Sequence, residues 1–242
     1  MPLMDEFKEE RDLVKNRSFK EKMSYFWDYY KWHVIAGVVC VFVVFSLVHT
    51  ILSRKETAFY AALINMAEIT SSTEYKEEFA RRGEVDLQKS TVYFDVDMHL
   101  DLSSMDDVTT QTTQKIMVYI SAKDLDVMLG DLEAINLYSY NGVLSDLRDF
   151  LTEEEYRKYE PYFYYMDRAV LEALEDDPTV DYPANPMDPE TMKDPVPMAI
   201  LLPETSKFDK VYAHAPNIYF AFIVNSGRPE LSHLFLEYVT EN

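Results

Sequence analysis

Cysteine is nearly absent from this 242-residue chain, with Cys40 the only one. That excludes a disulfide framework and any cysteine-based zinc centre. Glycine is scarce as well, at 5 residues, too few to build glycine-rich phosphate loops. Basic residues are outnumbered: 23 Lys+Arg stand against 43 Asp+Glu, a formal net charge of −20. A nucleic-acid partner is therefore not expected, because phosphate binding needs clustered Lys and Arg. HExxH, GxSxG, Walker A and EF-hand patterns are all missing. No enzyme activity, cofactor or metal is expected from motifs.

What is present is a long apolar run. Val34–Leu52 (VIAGVVCVFVVFSLVHTIL) is 19 residues without a formal charge. As a helix it is roughly 28 Å long, close to a bilayer core. Trp27, Tyr29, Tyr30 and Trp32 precede it, residue types that favour the membrane–water interface. A buried core helix and a secretory signal are the competing readings. A signal is disfavoured by more than 30 residues upstream, seven of them acidic, and by the lack of a small-x-small cleavage site. An uncleaved anchor in the lipid bilayer is the expectation, with residues 1–33 as a tail and 57–242 as a head. Lys15, Arg17, Lys20, Lys22 and Lys31 lie before the span, against Arg54 and Lys55 after it. Positive charge favours the cytoplasm, so the amino tail is expected inside and the head outside the cell membrane. Tail and span together are neutral, which places the whole −20 in residues 53–242.

Residues Asp5 to Lys15 read as a short charged helix or a disordered arm, and a helix from about Phe19 runs into the span. The head alternates strand and helix patterns. Strands are predicted at Phe59–Asn65, Val92–Leu102, Leu125–Leu129, Met198–Leu202 and Ile218–Val224. Helices are predicted at Thr73–Arg82, Met105–Lys123, Leu132–Tyr140, Thr152–Tyr159 and Pro229–Val239. Ile116, Met117 and Ile120 are expected on one helix face. Asp176–Pro197 holds six of the 11 prolines and reads as a loop. Five strands alternating with helices imply an α/β domain with a mostly parallel sheet.

Side chains that could carry chemistry each have a plainer explanation. Asp95, Asp97, His99 and Asp101 share one face of the predicted Val92–Leu102 strand. They could hold a hard cation such as Ca²⁺, or be the solvated face of an edge strand whose charges discourage aggregation. Asp176, Asp177, Asp181, Asp188, Glu190 and Asp194 form a second acidic patch without the spacing of an ion loop. Tyr156, Tyr159, Tyr162, Tyr164 and Tyr165 could form a platform for sugars or peptides, or pack onto the sheet. In open α/β sheets ligands sit beyond the carboxyl ends of the strands. That rule nominates Asn65, Gly130, Asp131 and Tyr138 as ligand contacts.

The stretch Thr113–Leu151 resembles a segment of bacterial extracellular solute-binding proteins. The matching residues are Asp124, Asp126-Val127-Met128, Asn141-Gly142, Leu144, Asp146 and Leu147. Tyr219–Val239 is similar to that family's last strand, turn and helix. Phe26–Gly37 resembles the entry to the span in a set of single-pass proteins of Gram-positive bacteria. The resemblance implies a type II periplasmic-binding-like fold. Its head of about 190 residues would be a reduced version of a two-lobed domain. A membrane-anchored binding or interaction module is the expectation, with a small solute, a peptide or a membrane protein as partner. The alternative is a structural subunit of a membrane or envelope complex with no small ligand.

Overall fold

Every residue of the sequence Phe59–Ile64 is buried, which makes this stretch the spine of the head. The computed structural model describes residues 18–52, 55–104, 106–177, 179, 183, 188–203 and 207–241. The expected charged arm Asp5–Lys15, Met105 and Asp181 lie outside them. The chain forms two units, Met1–Arg54 and Lys55–Asn242.

Among its described residues the first unit holds the helix α1 (Phe19–Leu52). Its segment Tyr30–Thr50 is 21 residues long and apolar enough to cross a membrane. Val41, Phe42 and Phe45 are exposed along it.

The second unit is an α/β domain. Its elements run β1 (Glu56–Leu63), β2 (Ala67–Glu68), α2 (Thr73–Arg82), β3 (Ser90–Asp95), α3 (Asp107–Ala122), β4 (Val127–Gly130) and α4 (Leu132–Tyr140). Then follow α5 (Leu147–Phe150), α6 (Glu153–Tyr159), β5 (Phe163–Asp167), α7 (Arg168–Asp176), β6 (Pro195–Leu201), β7 (Tyr212–Ala213), β8 (Tyr219–Phe222) and α8 (Pro229–Thr240). Six strands form one sheet in the order β3-β1-β4-β8-β6-β5, and β2 pairs with β7 separately. β1 is parallel to β3 and β4, while β8 and β5 run the other way. Four strands thus share a direction, and the sheet is mixed in its pairing.

Helices cover both faces. Against Phe59, Ala61 and Leu63 pack Phe79 of α2 and Phe235 and Leu236 of α8. Phe59 has its ring centroid 4.9 Å from Phe79 and 5.1 Å from Phe235. Against Tyr60, Ala62 and Ile64 pack Ile116 and Ile120 of α3 and Ile135 of α4. Two-sided cover explains why β1 reads as an unbroken apolar run rather than an alternation.

Several expectations are corrected. The alternation over Val92–Leu102 does not make one long strand: β3 ends at Asp95. Asp95 Oδ1 accepts the Asp97 N–H at 2.9 Å, which turns the chain out of the ladder. Met98 and Leu100 stay buried in an extended run without a strand partner. Met117 is exposed, while Ile116 and Ile120 face the core. β5 and α7 were not expected, and β6 begins earlier than predicted. It contains Pro195 and Pro197 although it is an interior strand. Its pairing with β8 covers only Ile200 and Leu201, clear of both prolines. Beside Pro197 the register with β5 shifts.

The amino ends of β1 and β4 are pinned by a buried ion pair. Asp126 is fully buried. It accepts Arg228 Nε at 2.8 Å, Ser226 Oγ at 2.6 Å and the Tyr60 N–H at 2.8 Å. Arg228 also donates to the carbonyls of Thr57 at 2.6 Å and Asp124 at 2.7 Å. Burial pushes the Asp126 carboxyl up, against the pull of Arg228 and the hydrogen bonds.

Candidate functional site

From β1 the chain leaves toward α2 on one face, and from β4 toward α4 on the other. The carboxyl ends of these neighbours therefore flank a switch point, the usual place for a ligand crevice. Asn65 and Asp131 meet there. Asn65 is in the left-handed region at φ 57, a conformation that asparagine tolerates better than most residues. This turns its amide toward the run after β3. Its Nδ2 donates to the Leu100 carbonyl at 2.8 Å and to Asp131 Oδ2 at 2.9 Å. Its Oδ1 accepts the Leu100 N–H at 2.8 Å. The side chain thus stands in for a missing strand neighbour of Leu100. Asp131 Oδ1 accepts the Ala134 N–H at 3.0 Å and caps α4.

Gly130 lies beside this clasp. A Cβ there would sit 3.1 Å from Ala134 Cβ and 3.4 Å from Ile64 Cβ, so the glycine allows α4 to approach the sheet. Tyr138 does not belong to the group. It lies about two turns further along α4, fully buried, with its phenol pushed up to about 12 by burial. The structure brings together three of the four nominated residues. There Asn65 and Asp131 are paired with each other and with Leu100 and Ala134.

Replacing Asn65 tests the clasp. Asn65→Ala loses three side-chain hydrogen bonds and places a Cβ residue at positive φ. A loss of about 2–4 kcal/mol is expected in urea unfolding. Asn65→Gly loses the same bonds without the backbone strain. It should be the more stable of the two by about 1 kcal/mol.

Other carboxylates are held in the same way. Asp146 receives Arg148 at 2.7 Å and Arg168 at 2.9 Å. Asp167 is buried and accepts the N–H groups of Ala169, Lys193 and Asp194 at 3.0–3.1 Å. Glu155 completes a capping box with Thr152 and accepts from His233 at 2.9 Å. Each of these three carboxyls is held below its usual range, its partners outweighing the opposing effect of burial. Among the described residues no three His, Cys, Asp or Glu side chains group as a metal site.

The proposed acidic strand face does not survive intact, because Asp95 belongs to β3 while Asp97, His99 and Asp101 follow it. Asp95 is only partly exposed and is paired, since Lys115 Nζ lies 2.6 Å away and the Tyr60 hydroxyl donates to it. In the second patch Asp188 caps a short 3-10 helix. The tyrosine platform is dispersed: Tyr159 and Tyr164 are buried in the cores of opposite sheet faces, while Tyr162 is exposed.

Two features escaped sequence reasoning. One is a tyrosine stack in which Tyr60 lies 5.4 Å from Tyr93 and 4.6 Å from Tyr119, ring centroid to centroid. Its only linear signal is that Tyr60 falls on the opposite strand face from Phe59. The other is a cavity of about 360 Å³ whose lining includes Leu144, Met166, Val196, Met198 and Arg168. It forms between segments distant in sequence. Compared with protein-family models, curated proteins and solved structures, the chain matches none.

Proposed function

We propose that this chain is a membrane-anchored interaction module, its acidic head displayed outside the cytoplasm and engaging a macromolecular partner. The observation that carries the reading is the internal pairing at the switch point. Asn65, Leu100 and Asp131 satisfy one another at the place where an α/β sheet normally receives a small ligand. The saturation of Asp126, Asp146 and Asp167 by internal partners likewise supports binding through the surface over acid–base chemistry. The apolar segment Tyr30–Thr50 supports the anchor. The excess of Lys and Arg before it supports an inward amino tail. The resemblance around Asn141-Gly142 and Asp146-Leu147 fits a reduced periplasmic-binding-like domain that has kept its scaffold while losing its cleft.

Crosslinking in native membranes tests this. A discrete, stoichiometric adduct on the head is the expected result. A melting shift of the full chain with a sugar, amino acid or metal ion, with no adduct, would replace the reading by solute capture.

A further inference from the structure

Strand β3 ends the six-stranded sheet, so among the described residues the side turned away from β1 has no strand partner. A cavity of about 510 Å³ runs there, and its lining includes Tyr93 and Tyr119 together with Phe94, Val96 and Lys76. Tyr93 and Phe94 are successive strand residues, so their side chains point to opposite faces. The lining also takes in Thr57 and Tyr60 of β1, and because Lys76 belongs to α2 on one face and Tyr119 to α3 on the other, the space reaches around the rim of the sheet. The outward N–H and C=O groups of an edge strand are directed into such a space.

The rim is firmly built. Tyr60 is in register with Tyr93, and its ring packs at a tilt against those of Tyr93 and Tyr119. Lys115 and the Tyr60 hydroxyl fix Asp95. The strand reads Ser-Thr-Val-Tyr-Phe-Asp and carries neither Pro nor Lys, two residues that commonly blunt an exposed edge.

We propose that the free rim of β3 is a strand-addition site for an extended, basic peptide segment of another protein. The proposal rests on the interaction-module reading and names its partner class. Charge chooses the occupant. Asp95 is already paired with Lys115, and Glu68 and Asp97 still outnumber Lys76 in the lining. An Arg or Lys of the incoming strand would lie over the tyrosine faces. A second copy of this head is a poor occupant, because the whole acidic excess of the chain lies in it and two copies repel. Main-chain bonds to β3 would supply affinity and alternate side chains the selectivity.

The test uses the full chain in nanodiscs of neutral lipid and a fluorescent peptide of alternating arginine and valine, followed by anisotropy. Saturable binding is expected, roughly tenfold tighter than for the same peptide N-methylated on the residues that would donate to β3. An alternating glutamate–valine peptide should not bind. Tyr93→Lys, at a position 45% exposed, should keep the folded circular-dichroism spectrum and weaken binding about tenfold. Tyr162→Lys, at a distant exposed position, should not weaken it. Absence of binding overturns the site. Equal binding of the N-methylated peptide reduces it to charge attraction and overturns strand addition. Sensitivity to Tyr162→Lys instead of Tyr93→Lys overturns the location. Crosslinking judges the broader reading separately: a partner mapped to another surface keeps the interaction module and removes the rim.

Discussion

Asp126→Ala should lower the stability of the head by about 3–5 kcal/mol, because it leaves the partly buried Arg228 without its counter-charge. In a domain of this size that is roughly a 10 °C fall in melting temperature by circular dichroism. The loss would not stay local. Arg228 carries bonds to the Thr57 and Asp124 carbonyls, and Asp126 holds the Tyr60 N–H. β1, β4 and the turn before α8 therefore loosen together. Arg228→Met alone should be damaging too, since it strands a fully buried carboxylate. Asp126→Leu combined with Arg228→Met should be milder than the sum of the single changes, because an apolar pair removes both desolvation costs at once. Equal or additive losses in the double variant would show that the pair is not energetically coupled.

Deleting residues 1–54 should move the protein from the membrane fraction to the soluble fraction. Val34–Leu52 contains 13 Val, Ile, Leu or Phe residues. At about 0.3–0.6 kcal/mol each this gives roughly 4–8 kcal/mol in favour of insertion. Val41→Arg with Val44→Arg, near the middle of the run, costs about 5–7 kcal/mol and offsets most of that. The paired substitution should therefore lower the membrane fraction at least tenfold without shortening the chain. Carbonate-washed membranes and immunoblotting provide the measurement. Retention of the deleted form on membranes would locate the attachment in the head instead.

Local signals were legible wherever one stretch of chain decides its own structure. Thr73–Arg82 and Leu132–Tyr140 match their helices residue for residue. The placement of Asn65, Gly130 and Asp131 at or just past the carboxyl ends of β1 and β4 followed from the same patterns. What could not be read depends on segments far apart in sequence. Nothing local says that Asn65 would bond Leu100, so the alternation past Asp95 looked like more strand. β5 (Phe-Tyr-Tyr-Met-Asp) has no period of its own and is made a strand by β6. Prolines argued for a loop at 195–197. They are accommodated only because the opposing strand shifts register there and β8 pairs further along. Tyr138 is fully buried in α4, a depth that its position after a strand end does not reveal.

The position of β8 sets the order of assembly. It lies between β4 and β6, so Val127 waits for Phe222 and the centre of the sheet closes only when nearly the whole chain is present. The closing steps bring together residues about a hundred positions apart, which makes them slow relative to local helix formation. A head still emerging from a ribosome or a translocation pore therefore lacks its middle strand and stays unlocked. A truncation between Leu201 and Tyr219 leaves β4 and β6 as separate, sticky edges.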